Sequence, residues 1–145
     1  MAIILSKNSS TLDRNDRKKI GIRLPLDRGS DGYFSMSSLT KDAVRDNLVN
    51  LLKTETGERI FNPEFGLRLK KFLFEPVDET SAAAIQEEIT SKVQRYLPIV
   101  QITNIVVNPQ SAGDSLDVTR LNIKVEFLIQ NLSLGSDTVD IDIGT

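Results

Sequence analysis

Only carboxylates in this chain have a spacing that invites a catalytic reading. Glu58, Glu64 and Glu75 fall in or beside a stretch rich in turn residues, and two acids flanking a bond are the basic equipment of a glycosidase. The sequence does not fix their separation. No aromatic residues gather around them to hold a sugar, so structural charges are the simpler reading. Asp140 and Asp142 alternate along one strand face and could form a metal clip. Acids on a terminal strand also discourage random edge pairing, which is the plainer explanation. The chain has no His and no Cys. That removes the commonest neutral-pH general base, the commonest metal ligand, thiol chemistry and disulfides. No phosphate-binding Gly-rich loop, zinc spacing, nucleophile elbow or EF-hand pattern occurs. The sequence therefore assigns no catalytic, cofactor or metal residue, and the expectation is a protein that is not an enzyme.

Binding to nucleic acid would rest on Arg14, Arg17, Lys18, Lys19 and Arg23. The cluster lacks interleaved aromatics and any recognisable nucleic-acid fold motif. A solvated arm touching another protein explains it better. Net charge is -2, too small for a strong overall field, but it is unevenly placed. Residues 1–28 carry seven bases against three acids and residues 114–145 six acids against two bases. Neighbouring subunits can exploit a basic end and an acidic end, although solvated termini account for both. The opening MAIILSKNSS lacks the basic region and long apolar run of a signal peptide. No stretch approaches the roughly 20 apolar residues of a membrane helix. The expectation is a soluble protein, made and used in a cytoplasm, with neither nucleic acid nor membrane as partner.

The elements that would position these groups follow from periodicity. At 145 residues, 39% hydrophobic and 26% charged, the chain suits one domain with an aliphatic core. Residues 1–19 are expected to be a flexible arm, because 6–19 are polar and charged with a single apolar residue. The single domain spans 20–145. Residues 20–26, IGIRLPL, alternate as a short strand in which Pro25 favours an edge, and DRGSDGYFSMSS reads as a loop. A helix is expected over 41–55, capped by Thr40, stapled by Leu39 and Val44, and striped by Val44, Leu48, Leu51 and Leu52. A short second helix covers 67–74. A third covers 81–96, with Ala82, Ile85, Ile89, Val93 and Tyr96 buried. Three strands follow: 99–107, with a bulge at Thr103-Asn104; 121–129, antiparallel to it; and 138–143, with Val139, Ile141 and Ile143 on one face. Residues 108–115 read as a loop between the first two. The fold class is α+β, a small largely antiparallel sheet with about three helices on one face.

The stretch from Gly57 to Gly66, GERIFNPEFG, is the most unusual in the chain. Gly57 can stop the preceding helix in a left-handed conformation. Glu58 and Arg59 put opposite charges at a bend, and Ile60 and Phe61 offer apolar anchors. Asn62-Pro63 is a turn pair. Phe65 can enter the core, while Gly66 permits close backbone approach. An ordinary interhelical loop would also fit.

This decapeptide resembles the baseplate wedge and sheath-initiator family of T-even-type phages, with relatives in type VI secretion and other contractile injection systems. Ile20-Gly21-Ile22-Arg23-Leu24-Pro25-Leu26 is similar to the family's N-terminal strand. Val44–Leu52 is similar to the helix before its Gly-Glu-Arg, and Leu73-Phe74-Glu75-Pro76 to its Leu-Phe-Glu helix end. The resemblance covers Ile20 to Gln130. It departs at Leu97-Pro98-Ile99, where the family often carries Glu-Pro-Arg for attachment to a central helical bundle. An apolar contact would have to replace the salt-bridged one. The resemblance implies a structural protein in the tail baseplate of a virion or a bacterial injection system. Its partners would be baseplate wedge proteins and the tail sheath protein, with the tail tube or hub as a further candidate, and it would bridge the wedge to the first sheath ring. It would template sheath polymerisation by strand exchange through Val139, Asp140, Ile141, Asp142 and Ile143, with no cofactor. Two other readings stay open: a lysozyme-like cell-wall hydrolase and a regulatory anti-adaptor-type binding module of the same fold.

Overall fold

The computed structural model describes residues 19–29, 32–74, 79–111, 118–130 and 136–144. The expected arm at 1–19 lies outside them except for Lys19, as does Glu75.

Two helices form where the apolar spacing demands. Helix α1 spans Thr40–Lys53 and buries Val44, Leu48, Leu51 and Leu52. Its start differs from expectation. Thr40 is the first helical residue, and Leu39 takes the extended N-cap position without a side-chain cap. Its end differs too. Thr54 is extended, and its N–H and hydroxyl both donate to the Asn50 carbonyl, at 3.1 and 2.6 Å. The helix thus ends with Lys53, where Thr54 turns extended, so Gly57 is not the stop. Helix α2, Glu79–Tyr96, buries Ile85, Ile89 and Val93 completely, while Ala82 and Tyr96 are half-buried. The expected middle helix is instead a 3-10 segment, Leu69–Phe74. Leu69, Phe72 and Leu73 are buried there. Among the described residues there are thus two α-helices rather than three.

The strands belong to two separate sheets. Strand β1, Gly21–Ile22, pairs antiparallel with β2, Met36–Ser37, a strand that the sequence reading leaves in a loop. Only two residues of the expected 20–26 strand are in the ladder. Its alternating apolar residues do not face the core: Ile20, Ile22 and Leu26 are exposed. The ribbon rests on α1 through Gly21, where an added Cβ would just touch that of Ala43.

The second sheet runs in the order β3–β4–β5, all antiparallel. Strand β3 is Val100–Ser111, β4 is Val118–Ile129 and β5 is Asp137–Gly144. Strand β3 outruns its expected end because Asn108 to Ser111 continue the ladder. Pro109 is tolerated there because β3 is an edge strand. The register slips between Ile102 and Asn104, so the bulge forms at Thr103 as its imperfect alternation suggests. Leu121, Ile123, Val125, Phe127 and Ile129 project from β4 into the core beneath the helices. Val139 and Ile141 join them from β5.

Candidate functional site

The decapeptide closes at its root before it opens at its tip. Glu55 and Leu67 form a parallel bridge, made by Leu67 N–H to the Thr54 carbonyl and Thr56 N–H to the Leu67 carbonyl, at 3.0 and 3.1 Å. Thr56 Oγ1 donates to the Gly66 carbonyl at 3.1 Å. Gly66 is buried, with φ +95°, and a Cβ there would lie 2.8 Å from the Thr54 carbonyl carbon. Only Gly allows the chain to return so close to where it left.

Between these ends the backbone folds through three turns. Glu58 N–H donates to the Glu55 carbonyl, Asn62 N–H to Arg59 and Phe65 N–H to Asn62. Gly57 takes the third position of the first turn with φ +99°, where positive φ selects Gly. Pro63 takes the second position of the last, where its fixed φ fits. Gly57 N–H donates to the Pro63 carbonyl at 2.9 Å and ties the first turn to the last.

The charges of the loop are used within it. Glu58 accepts the Glu55 N–H at 3.0 Å. Arg59 stacks 3.8 Å over the Phe65 ring, which meets Tyr96 edge-on at 5.1 Å. Glu64 pairs with Arg95 at 2.6 Å, and its carbonyl accepts from Lys92. These contacts seat the loop on the last turns of α2, just before Leu97-Pro98-Ile99. There Leu97 packs against the core, while Pro98 and Ile99 are exposed. Glu58 and Glu64 are thus both engaged in structure. Phe74 ends the 3-10 segment.

Ile60 and Phe61 are the exception. They are 90% and 101% exposed and anchor nothing within the described chain, at the two central positions of the middle turn. The sequence signal was present but misread, since Ile and Phe are poor choices for turn centres.

The larger sheet has two unlike edges. On β3, Gln86 Nε2 donates to the Ile105 carbonyl at 3.0 Å, Pro109 supplies no N–H, and the bulge at Thr103 breaks regularity. Strand β5 pairs with β4 from Arg120↔Gly144 to Phe127↔Asp137. Among the described residues nothing pairs with its outer side. Ile143 is half-buried beside buried Val139 and Ile141, while Asp140 and Asp142 are exposed on the other face. Asp142 accepts a 2.6 Å hydrogen bond from Asn122, and Lys41 pairs with Asp137 at 3.3 Å. No group of three or more possible metal-ligating side chains occurs among the described residues.

A cleft of about 600 Å³ lies between the segment Arg23–Pro25, just after β1, and α1. Asp46, 8% exposed, lines it. Burial pushes its carboxyl up from the usual range, although it accepts the Leu24 N–H. Its contact ties the segment after β1 to the helix. No helix among the described residues is long and apolar enough to cross a membrane.

The described residues form an α+β domain with a loop closed on itself and, in the larger sheet, an unpaired outer edge on β5. The profile of the baseplate wedge protein gp25 family matches residues 38–132, and the chain belongs to that family of structural baseplate proteins. It is 34% identical to baseplate wedge protein gp25 of Enterobacteria phage T4 over 71 residues, 49% of this chain and 52% of the T4 protein. The match thus spans about half the length of that relative. A protein in the cryo-EM structure of the anti-feeding prophage baseplate shares the fold, with a TM-score of 0.62 and 24% identity over 79% of this chain and 87% of its own. So does a protein of Geobacter sulfurreducens described as a putative tail lysozyme, with a TM-score of 0.62 and 18% identity over 76% of this chain and 95% of its own.

Proposed function

We propose that this chain bridges the baseplate wedge to the first ring of tail sheath and templates sheath polymerisation, without enzymatic activity. The wedge proteins and the tail sheath protein are its partners in this reading, with the tail tube or hub nearby. The open outer edge of β5 carries the proposal. A sheath strand can add to that edge and gain main-chain hydrogen bonds without displacing any of the described residues. The other edge, along β3, is obstructed by Gln86, Pro109 and the bulge. Edge addition is the better form of strand exchange here, because swapping β5 itself out would withdraw Val139 and Ile141 from the core. Leu97-Pro98-Ile99 supplies an apolar wedge contact in place of a charged one.

The test is a proline scan of Thr138, Asp140 and Asp142 in the full chain. Proline in an edge strand removes an N–H, and a variant that keeps the wild-type unfolding midpoint has lost only an outward one. Such variants should enter baseplates yet fail to seed sheath, seen as sheathless tails by electron microscopy. Normal sheath on tails carrying a stable proline variant would discard the β5 edge.

A further inference from the structure

The baseplate reading leaves unexplained why a turn should carry two of the largest apolar side chains in full contact with water. Turn centres favour Gly, Pro, Asn, Asp and Ser because those residues suit the backbone. Nothing local favours Ile60 and Phe61 in the turn that Asn62 N–H closes on Arg59. Nor are they scattered surface residues. They are adjacent, 90% and 101% exposed, and carried by a loop that is fixed by the Gly57–Pro63 bond, the Glu55–Leu67 bridge and the Arg59–Phe65–Tyr96 stack.

We propose that Ile60 and Phe61 form a preorganised plug that enters an uncharged apolar pocket on a different protein of the baseplate. This inference rests on the chain being a baseplate component. Two features select the occupant. The charged groups around the plug are already engaged, Arg59 on Phe65, Glu58 with the Glu55 N–H and Glu64 with Arg95. The two tip side chains themselves carry neither a charge nor a hydrogen-bonding group, so what they enter is apolar. In addition, the two side chains together present roughly 350 Å², well under the ~800 Å² per partner of a stable interface. The plug is too small to hold two copies of this chain together in solution. It fits the role of a central anchor within a larger contact, where buried aromatic residues carry most of the binding. The fixed backbone limits the ordering cost to side chains.

The test uses tails assembled in cells that make the complete machine. In the full chain, the double substitution Ile60→Ala and Phe61→Ala should lower incorporation into purified baseplates at least tenfold, whereas Phe61→Leu keeps most of it. Raising salt from 50 to 500 mM during purification should not release the wild-type chain. With p-benzoylphenylalanine in place of Phe61, photolysis should give a cross-link to Leu, Ile, Val or Phe positions of another baseplate protein. A cross-link to a second copy, or full incorporation of the double alanine variant, overturns the proposal while leaving the baseplate reading intact. Absence of the wild-type chain from purified baseplates overturns both.

Discussion

The root and the tip of the Gly57–Gly66 loop are ten residues of one sequence built to opposite ends. At the root, Gly66 is buried against Thr54 and Phe65 lies between Arg59 and Tyr96. At the tip, Ile60 and Phe61 touch water on nearly all sides. A residue type therefore does not reveal its role here. Phe65 and Phe61 stand four positions apart, and one stabilises the fold while the other contributes nothing to it. The two glycines differ in the same way. Both need positive φ, but a Cβ on Gly57 would meet nothing within 4 Å, whereas one on Gly66 would collide with backbone.

Substitutions grade this contrast. Gly66→Ala should cost most, roughly 2–4 kcal/mol, from left-handed strain plus displacement of the Thr54 backbone. Urea denaturation of the purified domain measures it, and a loss below that of Gly57→Ala would refute the crowding argument. Phe65→Ala should cost about 2 kcal/mol, from partial apolar burial and its edge-on ring contact. Gly57→Ala pays only the backbone strain, about 1–2 kcal/mol. Ile60→Ala and Phe61→Ala, singly or together, should stay within about 0.5 kcal/mol of wild type. A larger drop would mean that the tip supports the fold, and would erase the distinction between root and tip.

Much of the core was legible from spacing alone. Val44, Leu48, Leu51 and Leu52 read correctly because α1 packs one face on one sheet, and the alternation of Leu121 to Ile129 read correctly for the same reason. The bulge at Thr103 showed as a broken period. The N-terminal stretch misled because alternation in Ile20, Ile22, Leu24 and Leu26 signals a strand without saying that its apolar face is covered, and all but the half-buried Leu24 are exposed. Strand β2 has only two residues, too few for any period to show. The middle helix was missed in type because 3-10 and α segments of six residues carry nearly the same apolar pattern. Of the candidate sites, the role of Gly66 was readable from its identity. The exposure of Ile60 and Phe61 was not, since it depends on the closed root. Nor was the difference between the two sheet edges, which depends on where Gln86 of α2 falls against β3.

The long register of β4 with β5 also has a mechanical consequence. If a partner strand adds along β5, as proposed above, a load on it would run parallel to the strand axis. The bonds from Arg120↔Gly144 to Phe127↔Asp137 would then be strained together in shear rather than peeled open one by one. Lys41, paired with Asp137 at the first residue of β5, links that end of the strand to α1, so in the proposed assembly the edge that would take a partner strand would also bear its load.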